Sequence, residues 1–180
     1  MILSLNERPQ EAVATIDASG AVLRYGELLS FSERIGSLLP VRSLLFLLTE
    51  NNVGGIAWGM GSIHSGNVPL ILNAHIEEGL YHNLFEIYRP SYVCLPTRMA
   101  SALRYEIVCE CYGYTLLHTG MEPCTLHADL SHLLPTSGST GSPKLVRHKY
   151  GNIEAAALNI STFFGLTSND RPLLVLPLYY

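Results

Sequence analysis

Thr136-Ser137-Gly138-Ser139-Thr140-Gly141-Ser142-Pro143-Lys144 follows directly on the apolar run Leu133-Leu134-Pro135, and the residues on either side take their meaning from it. Glycine opens backbone conformations closed to other residues, so successive N–H groups can face one concavity. Ser and Thr add hydroxyl donors, and Lys144 adds a mobile positive charge. The stretch describes a cradle for an anion of the polyphosphate kind.

Other phosphate loops fail letter by letter. A Walker A loop needs Gly-Lys followed by Ser or Thr at a helix start, whereas Pro143 precedes Lys144 and Leu145 follows it. A dinucleotide fingerprint needs G-x-G-x-x-G, and Gly138 and Gly141 supply only part of that spacing. The nucleophile elbow G-x-S-x-G is out of register in Gly138-Ser139-Thr140-Gly141. Leu145 to Tyr150 alternates as a strand does. The arrangement expected is therefore strand–loop–strand, with no helix dipole aimed at the ligand.

This pattern resembles the phosphate-binding signature of the adenylate-forming enzymes: acyl-CoA synthetases, peptide-synthetase adenylation domains and luciferases. Their motif reads Thr-Ser-Gly-(Ser/Thr)-Thr-Gly-x-Pro-Lys, and every fixed position is present from Thr136 to Lys144.

The length fits one domain, and the order of strands and helices along it makes that domain α/β. The 180 residues are 48% hydrophobic and 14% charged, too apolar for a disordered segment. A mean hydropathy of +0.23 points to apolar surface awaiting another subunit or more chain, so self-association is an expectation. The net charge of −4 offers no basic field for a nucleic-acid backbone. Lys144 and Lys149, with Arg147 and His148, form the one local concentration of positive charge. Lysine also blunts sheet edges, which would account for Arg147 and Lys149 as readily as a ligand would. Cys94, Cys109, Cys111 and Cys124 contain no C-x-x-C pair, so free thiols in a reducing cytoplasm are expected. No metal site is assigned: His75, Glu78 and His82 could share a helical face, but two turns separate the outer pair. Val53 to Leu72 is interrupted by His64, Asn67 and Pro69 and is too broken to span a membrane.

In chain order, Ala12–Ile16 and Ala21–Tyr25 read as strands about the Asp17-Ala18-Ser19-Gly20 turn, and Gly26–Leu39 as a helix. Leu44–Leu48, Val68–Leu72 and Tyr92–Leu95 read as buried strands, separated by helices over Val53–Ser65 and Glu77–Tyr88. That alternation predicts a sheet of largely parallel strands with crossover helices. Met99–Cys109 is expected to be helical, Tyr114–His118 a strand and Gly120–Ala128 irregular. Asn152–Phe164 is expected to be a helix and Leu173–Leu178 a final strand with an exposed apolar edge.

The resemblance implies the N-terminal part of an AMP-binding domain over residues 1–180. It implies ATP and Mg²⁺ carried on ATP, a carboxylic acid that attacks the α-phosphate, and a thiol acceptor on CoA or a carrier-protein phosphopantetheine. Thr136, Ser137, Gly138, Ser139, Thr140, Gly141 and Lys144 would contact phosphate. Two departures follow Lys144: Leu145 stands where the family commonly has Gly, and Tyr150 where it has His. Leu176-Pro177-Leu178-Tyr179-Tyr180 resembles the next motif, beside the acyl pocket, with Tyr180 at the gate position often held by His. No other catalytic residue is assigned. The later motifs do not appear in these residues, so the sequence reads as a fragment inactive by itself. The alternative is a non-catalytic nucleotide-binding or interaction module that keeps the fold. The loop over 137–142, all Gly, Ser or Thr, is expected to be mobile without nucleotide.

Overall fold

The computed structural model describes residues 2–40, 42–136 and 144–180, without the side chains of Ile2 and Leu3. A 3₁₀ turn, Ile2–Glu7, precedes β1 (Val13–Ile16) and β2 (Val22–Arg24), which pair antiparallel. Asp17 makes the turn between them: its carboxylate accepts from Ser19 N at 2.9 Å, and Gly20 takes φ +84°. α1 (Tyr25–Leu38) begins where Glu27 accepts from Arg24 N at 2.7 Å. It buries Leu28, Phe31 and Ile35 at helical spacing.

Next come β3 (Leu44–Thr49), α2 (Val53–His64), β4 (Val68–Asn73), α3 (Glu78–Tyr88) and β5 (Tyr92–Pro96). Every residue of β3 is buried, because the strand is covered on both faces. Leu45 and Leu47 belong to one cluster with Phe31, Ile35 and Trp58 of α1 and α2. Leu44, Phe46 and Leu48 belong to another with Leu84 and Phe85 of α3. β4 and β5 flank β3 on opposite sides and both run parallel to it. Right-handed crossovers that step in opposite directions must carry their helices to opposite faces, and the two clusters show that arrangement.

Two expectations are corrected. Met99–Cys109 is not a helix: α4 spans only Thr97–Ala100, and Glu106–Cys111 is a strand, β6. β6 turns into β7 (Tyr114–His118) through Tyr112 and Gly113, with φ of +52° and +72°. Two positive φ values make a hairpin turn that matches strand twist, and pairing with β7 overrides the helical spacing of the segment. Leu173–Leu178 is not a strand either. Pro172 precedes the run and Pro177 interrupts it, and its polar backbone is met by a side chain: Asn51 donates to Leu176 O at 2.9 Å and accepts from Leu178 N at 3.0 Å.

β8 (Leu130–Pro135) joins β4 in parallel through Leu70 and Leu133, and β9 (Leu145–Lys149) joins β8 antiparallel. The sheet order is β6-β7-β5-β3-β4-β8-β9, so four parallel strands form its centre and antiparallel strands form both margins. α5 (Tyr150–Phe164) follows and ends at Gly165 with φ +63°. Tyr150 opens this helix instead of closing the preceding strand. No helix among the described residues is long and apolar enough to cross a membrane.

Candidate functional site

In an open sheet of this kind, ligands gather beyond the carboxyl ends of the parallel strands. β8 delivers Thr136 to that edge, and the nine-residue loop joins β8 to β9. Its base is closed twice by one carbonyl: Lys144 O accepts from Thr136 N at 2.9 Å and from Thr136 Oγ1 at 3.1 Å. Thr136 therefore spends its hydroxyl proton on fixing the loop's mouth. Lys144 is exposed at the same mouth. Ser137, Gly138, Ser139, Thr140 and Gly141 lie outside the described residues, as does the mobility expected of 137–142.

The pairing continues below the mouth. Pro135 faces Leu145, Leu134 faces Val146, Leu133 faces Arg147 and His132 faces His148. The two imidazoles stack, with centroids 4.4 Å apart and planes 5° from parallel. Ser131 Oγ donates to His148 O at 2.8 Å and lies 3.0 Å from His132 Nδ1. A hydroxyl has one proton, and the carbonyl takes it, so Nδ1–H of His132 donates to Ser131. The neutral ring then carries a lone pair on Nε2. Burial and the neighbouring His148 push the His132 pKa down to about 4, so the ring is neutral at ordinary pH.

His132 also lines a cavity of 210 Å³ bounded by Gly59, Met60 and Ile63 of α2, Ile71 of β4, Ile153 of α5 and Leu178. Leu178 is held there by Asn51. The neighbouring residues at the strand ends are occupied with one another. Glu50 binds Arg98 through both carboxylate oxygens and lies 3.4 Å from His75 Nε2. Arg98 beside it holds the Glu50 carboxyl below the usual carboxylate range. Tyr114 Oη accepts from Glu50 N at 3.0 Å and donates to Asn52 Oδ1 at 3.2 Å. Asn52 in turn accepts from Gly55 N at 2.8 Å and caps α2. Among the described residues no group of three His, Cys, Asp or Glu could hold a metal ion.

No family model matches the chain. One curated relative, a 2-succinylbenzoate–CoA ligase of Bacillus velezensis, is 40% identical over 52 residues, which is 29% of this chain and 11% of that protein. Among solved structures, ATP-bound MatB of Rhodopseudomonas palustris superposes with a TM-score of 0.74 at 20% identity, covering 98% of this chain and 40% of that one. The O-succinylbenzoate coenzyme A synthetase of Bacillus subtilis, in complex with ATP and magnesium ion, gives 0.72 at 19% identity over 94% of this chain and 48% of that one. The chain has the fold of the N-terminal region of adenylate-forming enzymes. It spans less than half the length of these solved relatives.

Within this adenylate-forming fold the remaining sequence-predicted residues separate. Lys149 pairs with Asp129 at 3.5 Å, both exposed, on the edge strand β9. Such a pair contributes little, which favours the edge-blunting reading for Lys149. Tyr150 keeps a packing role: its ring lies 6.0 Å from the Arg42 guanidinium and its hydroxyl accepts from Arg42 Nη1 at 3.2 Å. Tyr180 is exposed and is brought to no other candidate residue by its one backbone bond, to Pro177 O at 3.1 Å. The His132–His148 pair escaped the sequence reading. The signal for it was present, since His132 stands four residues before Thr136 and His148 four after Lys144. Equal offsets across a hairpin closed at those two residues must face each other.

Proposed function

We propose that the loop from Thr136 to Lys144 holds the β- and γ-phosphates of ATP, in the N-terminal part of an AMP-forming ligase that activates a carboxylic acid. The observation that carries this reading is the intact nine-residue motif, set between β8 and β9 at the carboxyl edge of the parallel strands, with Thr136 closing its base on Lys144 O. The exposed Lys144 ammonium and the hydroxyls of Ser137, Ser139 and Thr140 supply donors that can follow charge onto the departing pyrophosphate. Mg²⁺ would arrive on ATP, since the described residues gather no carboxylates for it at the loop mouth. When bound, ATP supplies the electrophilic α-phosphorus, and the acyl-adenylate would pass to a thiol of CoA or of a carrier protein.

The 180 residues alone are proposed to bind nucleotide without turnover, and the chain to act in the cytoplasm. Titration of Mg·ATP into the chain tests the loop. A charge-assisted hydrogen bond is worth about 1.5–3 kcal/mol, so Lys144→Ala should weaken binding roughly tenfold or more. Thr140→Ala should weaken it by a smaller factor. Unchanged affinity in both variants sinks the phosphate assignment. Acid-dependent ATP–pyrophosphate exchange by the wild-type chain is expected to be undetectable, and robust exchange would overturn the claim of inactivity.

A further inference from the structure

We propose that the cavity beneath Leu178 is a binding site for a small neutral aromatic ring bearing one hydrogen-bond donor, of the phenol type, with His132 Nε2 as its acceptor. None of its lining residues belongs to the loop, so the proposal stands apart from the phosphate reading.

Size comes first. A dry apolar cavity of about 150 Å³ admits benzene, and 210 Å³ leaves room for a substituent on such a ring. The walls come next. Met60, Ile63, Ile71 and Ile153 present hydrocarbon or thioether, and Gly59 leaves open the space its side chain would have filled. A β-carbon built there meets its nearest neighbour, Leu47, only at 3.8 Å. Among the described lining residues none carries a permanent charge, so a carboxylate or ammonium would lose its hydration without a partner. Thr49, on the same wall, already donates its proton to Leu72 O at 3.0 Å.

His132 supplies the polarity. Its face lies on His148 and its Nδ1–H is directed to Ser131, which leaves the Nε2 lone pair. A neutral imidazole in that tautomer accepts and does not donate through Nε2. The site therefore distinguishes ligands by whether they offer a proton, with the stacked pair fixing the acceptor's orientation. The depressed pKa keeps the acceptor unprotonated at neutral pH.

Phenol and toluene, equal in shape, separate the hydrogen bond from the cavity. In a purely apolar cavity toluene binds better, because phenol gives up hydrogen bonds to water. With the His132 acceptor, phenol should match or exceed toluene in titration calorimetry on the wild-type chain. His132→Phe keeps a ring against His148 but removes the acceptor, and the phenol-to-toluene affinity ratio should fall about tenfold. Gly59→Leu should abolish binding of both probes. In wild-type protein, where no variant needs to fold, the His132 Nε2 nitrogen resonance should move on adding phenol and stay put on adding toluene. Absence of binding by either probe at millimolar concentration overturns the site. A ratio unchanged by His132→Phe, or a nitrogen shift indifferent to phenol, overturns the role of His132.

Discussion

An imidazole that loses water to burial and lies against a second imidazole takes up its next proton poorly, and this sets how the fold answers acid at His132. The unfolded side chain titrates near its ordinary 6.5 and the folded one near 4, so between these values the unfolded chain binds more protons. Stability from this group is therefore complete above about pH 6.5 and drains away as pH falls toward 4. At about 1.4 kcal/mol per unit its share is roughly 3 kcal/mol at most. His148 of β9 is the titratable group facing it, while Ile71 of β4 and Met60 and Ile63 of α2 bring no charge. His64, pushed down chiefly by burial, adds a fall of the same sign. Asp17, lowered first by the Ser19 hydroxyl, and Glu50, lowered by Arg98, lose their contributions only at lower pH. Urea unfolding at a series of pH values should show His132→Phe losing clearly less stability than wild type between pH 7 and 4.5. Parallel pH curves for the two proteins would refute the burial of a neutral His132.

At the scale of elements, α2 shows why a glycine-rich segment can be a core helix. A β-carbon on Gly54 would lie 2.3 Å from Tyr112 O and 2.6 Å from the ring of the buried Tyr114, closer than atoms tolerate. α2 approaches the β6–β7 turn so closely because nothing projects at that position, and Trp58 then donates to Cys111 O at 3.1 Å. A β-carbon on Gly59, five residues on, would meet Leu47 only at an ordinary contact distance of 3.8 Å. Gly54→Ala should therefore destabilise by about 1–3 kcal/mol or more through overpacking. Gly59→Ala should stabilise by up to about 1 kcal/mol through helix propensity. Chemical denaturation of both variants checks the pair, and equal effects would contradict the close approach. The same contrast explains what could be read in advance. Leu44–Leu48 and Val68–Leu72 announce themselves because a strand covered on both faces is apolar throughout. β6 does not, since Ile107, Val108 and Cys109 acquire their conformation from β7 across the turn at Tyr112-Gly113. The Thr136–Lys144 motif is legible because its pattern is local to nine residues. His132 is legible only through the register that the loop's own closure imposes.

Across the whole molecule, apolar side chains are distributed unevenly between core and surface. Trp58, Leu45 and Leu47 are fully enclosed, whereas no residue of α5 is buried. Phe163 is 82% exposed, Leu173 86% and Val175 74%, and Leu158, Ile160 and Phe164 are exposed with them. Phe163 and Phe164 touch edge to face, 5.0 Å apart, so their main neighbours are each other. The most exposed of the large apolar side chains thus gather in α5 and the 173–176 segment, which is not the strand edge expected there. At about 25 cal/mol per Å² such surface gains from being covered, so copies of the chain should associate as concentration rises. Surface substitutions away from packed features usually stay within about 0.5 kcal/mol. A Phe163→Ser, Phe164→Ser, Val175→Ser variant should therefore melt within a few degrees of wild type and sediment as a monomer at concentrations where wild type does not. Wild type that remains monomeric throughout, or a variant that associates equally, would place the driving surface elsewhere. A variant that melts far lower would show that α5 is covered in solution by its own chain.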